Sequence, residues 1–198
     1  PAVTEPAPAA SITGAVELDR VVPPSGNLWV ARQQIWLGPA MTGRTVVVTA
    51  GPTREPVDPV RYLSNRSSGR MGFALAREAQ RRGASVVLVT GPVALQPPPG
   101  VRTVRVERTA EMRDAVLKEY SQCTAVIMAA AVADYHAAAV AEKKIKRGRG
   151  PVELRLEPSP DILKELGQNK DGQWLVGFAA ETEDLIANAQ KKLHEKNL

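Results

Sequence analysis

From Arg44 onward the apolar residues fall into short runs, and stretches with helical spacing separate them. Thr45–Thr49 (TVVVT) and Ser85–Thr90 (SVVLVT) are continuous β-branched runs of the kind expected for strands covered on both faces. Val101–Val106, Thr124–Met128 and Trp174–Phe178 predict three more strands, and the alternation of Glu153–Glu157 (ELRLE) predicts an edge strand. Helices are expected over Met71–Arg82, Ala110–Tyr120, Asp161–Leu166 and Asp184–Lys196. In the first, Met71, Leu75 and Ala79 share a face and Gly83 ends the helix; in the second, Thr109 is the expected cap. Strands alternating with helices predict an α/β fold, a Rossmann-like open parallel sheet with helices on both faces and right-handed crossovers. Ligands of such sheets bind beyond the carboxyl ends of the strands. That rule directs attention to the segments after Thr49, Thr90, Met128 and Phe178.

Residues 1–42 have a different texture and read as a linker or poorly ordered leader ahead of a folded domain over 43–198. The chain opens PAVTEPAPAA, Pro23-Pro24-Ser25-Gly26 breaks any element, and Trp29 and Trp36 are the large apolar residues there. The 198 residues suffice for a real core without staples. A single cysteine, Cys123, excludes a disulfide framework and a thiolate zinc site, and two histidines leave little for an imidazole metal centre. No stretch approaches the ~18 apolar residues of a membrane span, and no secretory signal is visible, so a cytoplasmic protein is expected. Net charge is +5 and the pI about 9.6, which fits an anionic partner. Aromatics are only 4% of the chain, sparse for a groove that stacks single-stranded nucleic acid.

Two loops carry candidate chemistry. The first runs from Ala50 to Gly69, far beyond the ~2–6 residues of an ordinary strand-to-helix turn, and it is neither a GxGxxG turn nor a Walker A loop. Its end, Ser67-Ser68-Gly69, stands where a helix begins, so it is either an anion site or a plain serine cap. Asn65, with a donor and an acceptor, could hold a carbonyl and an amine together or simply shape a turn. The second loop starts at Met128-Ala129-Ala130, small residues against which a flat ring could lie while backbone reads its edge. Asp134 could take a ribose hydroxyl or a metal-bound water. Lys143, Lys144, Lys146, Arg147 and Arg149 then form a basic knot that suits a polyphosphate, a solvated face or nucleic acid.

Taken together, TAGPTREPVDPVRYLSNRSSGRMGFALA (49–76), AAAVADY (129–135), EKKIK (142–146), PSPDIL (158–163), VGFAAET (176–182) and the lysines of the final helix resemble the phosphopantothenoylcysteine synthetase family. The resemblance covers about residues 43–198. It implies a ligase that joins 4′-phosphopantothenate to L-cysteine through an acyl-cytidylate, converting CTP to CMP and pyrophosphate, in coenzyme A biosynthesis. Asn65 matches the family asparagine of the second half-reaction, and Lys144 the lysine needed for activation. Met128, Ala129, Ala130, Asp134, Pro160, Asp161, Ile162, Leu163, Phe178, Lys192 and Lys196 match nucleotide-binding positions, with Lys144 among them. Ser67, Ser68 and Gly69 are expected beside a phosphate of one of the substrates. Mg2+ is expected to be held largely by the triphosphate, with no dedicated metal ligands and no flavin.

The resemblance further implies a homodimer, with small molecules as partners and neither nucleic acid nor membrane. The family's decarboxylase half is not expected within these residues, Glu5-Pro6 and its surroundings being the expected linker remnant. Family members continue past Lys196-Asn197-Leu198 into further sheet, so the parallel sheet is expected to be incomplete at its C-terminal end. Two other functions stand beside this one. A dinucleotide-dependent reductase would need the glycine fingerprint and ribose-binding acid that the sequence lacks. A basic nucleic-acid-binding module would rest on the knot around Lys144 and show steep salt dependence.

Overall fold

The computed structural model describes residues 41–148, 150–178 and 184–198. Expectations for residues 1–40, with Glu5-Pro6, Trp29 and Trp36, for Arg149, and for Ala179–Thr182 of the VGFAAET segment lie outside the described residues. Met41, just ahead of the expected domain start, is already part of the packed domain. Its side chain is buried in the core and its N–H donates to Arg82 O at 2.7 Å.

In chain order the elements are β1 (Thr45–Ala50), β2 (Arg54–Pro56), β3 (Tyr62–Ser64), α1 (Arg70–Arg81), β4 (Ser85–Thr90), β5 (Arg102–Arg105) and α2 (Thr109–Tyr120). They continue with β6 (Ala125–Met128), β7 (Tyr135–Ala137), β8 (Leu156–Pro158), α3 (Ile162–Gln168), β9 (Trp174–Gly177) and α4 (Leu185–Glu195). Among the described residues the main sheet has five strands in the order β5-β4-β1-β6-β9, every pairing parallel. β1 is central, with β4 on one side (Val47 opposite Val87) and β6 on the other (Val47 opposite Val126).

The period-2 geometry of the strands divides the apolar runs between two cores. Val46, Val48 and Ala50 of β1 join Val86, Leu88, Ala125 and Ile127 against Phe73, Ala76 and Ala79 of α1. Val47 joins Val87, Val89, Val126 and Leu175 against Met112, Val116 and Tyr120 of α2 and Ile162 and Leu166 of α3. The Tyr120 hydroxyl donates to Leu166 O at 2.7 Å, which ties the two helices of that face together. The sheet is therefore open and covered on both faces, as the sequence predicts.

Three local expectations are corrected. The buried face of α1 is Gly72, Phe73, Ala76 and Ala79, while Met71 is exposed. The cause is Gly72: a Cβ there would sit 2.6 Å from Ala50 Cβ and 2.7 Å from Thr49 O, so this turn of helix lies directly on the end of β1. Thr109 is the first residue of α2 and does not cap it; the cap position is Arg108, and the Thr109 hydroxyl turns into the interior. The expected edge strand at Glu153–Glu157 is shifted to β8, which pairs antiparallel with β7 in a separate ribbon, Tyr135 opposite Pro158. The long first loop also contains an antiparallel pair, β2 with β3, placing Arg54 opposite Ser64.

Leu88 is fully buried in the strand beside β1. Leu88→Ala is expected to cost about 2–5 kcal/mol, read as a lower urea midpoint with an unchanged slope.

Candidate functional site

Beyond the carboxyl ends of β1 and β6 the backbone runs on as a short ladder. Ala130 N–H donates to Thr49 Oγ1 at 3.1 Å and Ala131 N–H to Gly51 O at 2.9 Å, and Pro52 and Ala131 form an isolated bridge. Ala133 N–H donates to Thr53 Oγ1 at 2.9 Å. From β3 the side chain of Asn65 reaches the same strand of chain, its Nδ2 donating to Val132 O at 2.7 Å. Asn65 thus stands beside the segment that opens with Met128, Ala129 and Ala130 and ends at Asp134. The N–H of Ala129 is bonded to Ile127 O and that of Ala130 to Thr49 Oγ1. Both of these N–H groups are thereby engaged within the chain.

Asp134 connects this ladder to the next predicted segment. Its carbonyl accepts from Ser159 N–H at 2.8 Å, beside the β7–β8 ribbon. Pro160 follows, and Asp161 caps α3 by accepting from Lys164 N–H at 3.0 Å. The Asp161 carboxylate also receives Lys196 Nζ at 3.0 Å from the end of α4. The Pro160–Leu163 segment and a lysine of the final helix are thereby brought together, with Ile162 buried and Leu163 packed against the same core. Phe178 is exposed just beyond β9, and Lys192 lies on the last turn of α4.

Ser67, Ser68 and Gly69 lead into α1. Gly69 takes the cap position at φ 74°, a conformation suited to glycine, and no side chain caps the helix. The reading of these serines as a plain cap is thus corrected: Ser67 Oγ only accepts from Gly69 N–H at 3.3 Å. A Cβ on Gly69 would stand 3.3 Å from Gly51 N, so the helix start is packed against the turn leaving β1.

Lys144 lies in a loop docked on the β2–β3 turn. Asp58 organises that turn: Oδ1 accepts from Val60 N–H at 2.8 Å and Arg61 N–H at 2.9 Å, and Oδ2 accepts from Arg61 Nε at 2.9 Å. Asp58 Oδ2 also accepts from Ile145 N–H at 3.1 Å, and the Arg61 guanidinium donates to Ile145 O at 2.7 Å. Ala141 N–H donates to Val57 O at 3.0 Å. The Arg61 guanidinium, foremost, holds the Asp58 carboxyl well below its ordinary value; burial opposes the effect and the amides of Val60, Ile145 and Arg61 add to it. The docked loop encloses an open cavity of about 800 Å³ whose lining includes Arg61, Lys144, Lys146 and Arg147. Three lysine and arginine side chains, Lys144, Lys146 and Arg147, join Arg61, which Asp58 already pairs, around this cavity. Asn65 is not among them. The two expected catalytic residues are linked through the same hairpin.

Sequence reasoning missed the Asp58–Arg61 clamp, the hairpin that presents it and the buried Thr53–Thr109–Glu55 contacts. The signal available was local: an Asp-Pro pair three residues before an arginine is turn chemistry. It also missed a second cavity of about 640 Å³ between the ends of β4 and β5, lined by Arg54, Thr90, Val93, Arg105 and Glu111 among others. Cys123 is buried, which pushes its thiol up to about 11 and leaves it without nucleophilic use.

Comparison with known proteins bears on what this rim does. Residues 41–198 match the family described as DNA/pantothenate metabolism flavoprotein C-terminal domain. The coenzyme A biosynthesis bifunctional protein CoaBC of Bacillus subtilis (strain 168) is 50% identical over 159 residues, 80% of this chain and 39% of that protein. A cysteine/cysteine sulfinic acid decarboxylase from an unknown prokaryotic organism is 50% identical over 160 residues, 80% of this chain and 45% of that protein. The chain thus spans less than half the length of these curated relatives. A crystal structure of the C-terminal domain of CoaBC superposes with a TM-score of 0.72 at 48% identity, covering 81% of this chain and 76% of that one.

Because the Asp58 carboxyl is depressed in the folded state, its contribution to stability is present above the unfolded carboxylate range, near pH 4. That contribution is lost as pH falls through the folded value. Asp58→Asn is expected to lower the melting temperature at pH 7, and the gap between wild type and variant should narrow as melts are repeated from pH 4 downward. A gap independent of pH would show that the carboxylate charge is not what holds the two loops.

Proposed function

The chain belongs to the DNA/pantothenate metabolism flavoprotein C-terminal domain family, and from that membership we propose that it is a ligase joining 4′-phosphopantothenate to L-cysteine at the expense of CTP. The observation that carries this reading is the junction of two rim loops: Asn65 from the β1–α1 segment grips Val132 O in the β6 segment, and the hairpin before Asn65 holds the Lys144 loop. Such a junction brings an amide beside a strip of small residues and hangs a cationic cavity on the same support.

In the proposed reaction a carboxylate oxygen of phosphopantothenate attacks the α-phosphorus of CTP, and pyrophosphate leaves. The acyl-cytidylate formed has a good leaving group where the free acid had none. The cysteine amine then attacks the acyl carbon, loses a proton, and CMP departs. Little covalent work falls to the protein, so placement and charge stabilisation supply the catalysis. Lys144, with Lys146 and Arg147 around it, would neutralise charge on the departing pyrophosphate. Asn65 keeps a second Nδ2 proton and Oδ1 beyond its bond to Val132, enough to steady an oxyanion or orient the amine.

The carbonyls of Met128, Ala129 and Ala130 would read the base, and Asp134 would take a ribose hydroxyl. Asp161 with Lys196, Lys192, Phe178 and the Pro160–Leu163 turn would hold the remainder of the nucleotide. Ser67, Ser68 and Gly69 at the uncapped start of α1 suit a phosphate of either substrate. Magnesium would arrive on the triphosphate. Among the described residues no three His, Cys, Asp or Glu side chains gather into a cage, so no step is assigned to a metal held by the chain. A homodimer belongs to the same proposal and is supported by the exposed apolar Tyr135, Leu154 and Leu156 on and beside the β7–β8 ribbon. No described helix is long and apolar enough to cross a membrane.

Pyrophosphate release, measured with phosphopantothenate and each nucleoside triphosphate in turn, is expected with CTP and to be lost in Lys144→Ala. In Asn65→Ala release should persist for one turnover while acyl-nucleotide accumulates. Overall ligation should fall ~10²–10³-fold, the scale of losing one oxyanion donor. Normal ligation by Asn65→Ala would refute its role. Carbon dioxide release from cysteine without nucleotide would favour the activity named for the decarboxylase relative.

A further inference from the structure

Three polar side chains are buried together where β1 hands over to the rim: Thr53 at 0% exposure, Thr109 at 1% and Glu55 at 5%. They form one directed chain of hydrogen bonds. Glu55 Oε1 accepts from Thr109 N–H at 2.7 Å and from the Thr109 hydroxyl at 2.8 Å. With its proton on Glu55, Thr109 Oγ1 is an acceptor for the Thr53 hydroxyl, 3.0 Å away. Thr53 Oγ1, its proton so directed, turns a lone pair to Ala133 N–H at 2.9 Å. The competing contact of the Thr109 hydroxyl with Ala133 O is longer, at 3.5 Å. A carboxylate, which in this state only accepts, therefore fixes the sense of every bond as far as Ala133.

The chain ends at an informative place. Ala133 lies between Val132, whose carbonyl Asn65 holds at 2.7 Å, and Asp134, whose carbonyl receives Ser159 N–H at 2.8 Å. Three consecutive residues are thus gripped from three directions, and only the middle grip comes from the interior. Apolar side chains of similar volume could fill the space of the two threonines, but they would give Ala133 N–H no address.

We infer that Thr53 and Thr109, polarised by Glu55, are positioning residues that fix the Val132–Asp134 segment for nucleotide binding. The inference rests on the ligase reading for its substrate and on the hydrogen bonds alone for its geometry. Thr53→Val keeps the volume and removes the acceptor; Thr53→Ser keeps the acceptor.

The test uses the full chain with CTP, phosphopantothenate and cysteine, and reads steady-state kinetics, thermal melting and amide hydrogen exchange of residues 129–135. Thr53→Val is expected to raise KM for CTP ~10- to 100-fold, the scale of a misplaced binding segment, and to speed exchange in 129–135. KM for cysteine should stay near the wild-type value, and Thr53→Ser should restore both readouts. If Thr53→Val does not fold, Thr109→Val carries the same test, because it leaves Thr53 in place without the partner that orients it. A lowered melting temperature with unchanged KM for CTP would make the chain merely structural and overturn the inference. Unchanged exchange in 129–135 would overturn it as well. If the wild type releases no pyrophosphate from any nucleoside triphosphate, the ligase reading fails and the inferred role in nucleotide binding falls with it. The exchange measurement still decides whether Thr53 positions the segment.

Discussion

Backbone N–H groups that leave the end of a buried parallel strand have no ladder partner ahead of them, and here those of the β6 exit find their partners on the β1 exit. Thr49 Oγ1, Gly51 O and Thr53 Oγ1 take Ala130, Ala131 and Ala133 in turn. A buried amide without a partner is costly, so the two exits are bound to run together. Everything chemically distinctive about the molecule is attached to that pair. Asn65 returns from the first exit to the second, and Asp134, Ser159 and Asp161 extend the second toward α3 and α4.

Glycine and threonine share the work at this junction for different reasons. Gly72 allows α1 to lie on the end of β1, where a Cβ would strike Thr49 O and Ala50 Cβ. Gly69 takes a left-handed cap, and no side chain makes a capping hydrogen bond to the first turn of α1. The threonines fill space as valine would and also bring an acceptor into the interior. The cationic Lys144 loop is held by another device, the Asp58 carboxylate bonded to Arg61 and Ile145. Like charges at Lys144, Lys146 and Arg147 would otherwise favour an extended, solvated loop. A single carboxylate at its base fixes where that charge is presented.

Much of this was legible along the chain. Each expected strand of the parallel sheet is present, because continuous β-branched runs are stable only where both faces are covered. Asn65, Asp134 and Asp161 fall on one connected run of hydrogen bonds and chain, through Val132 O, Ser159 N–H and the start of α3. Met71 was assigned to the wrong face since helical spacing leaves the rotation of a helix open, and the approach allowed by Gly72 sets it. Thr109 read as a cap because a threonine before a helix usually is one; the buried Glu55 draws its hydroxyl inward instead. β2, β3 and β7 are not legible along the chain, being three-residue strands that hold no apolar run, and the alternation that announces β8 places it a few residues early.

The sequence by itself determined the class of fold and the order of the main-sheet strands and of the helices between them. Those properties follow from local periodicity and from residue types that suit one backbone conformation. Tertiary structure alone decided which loops touch. The pairing of Asn65 with Val132, of Asp58 with Ile145 and of Asp161 with Lys196 joins residues 67, 87 and 35 positions apart. No local preference encodes such contacts. They arise because a parallel sheet gathers the ends of distant strands at one rim, where buried amides and charges must find whatever partners the neighbouring strand brings.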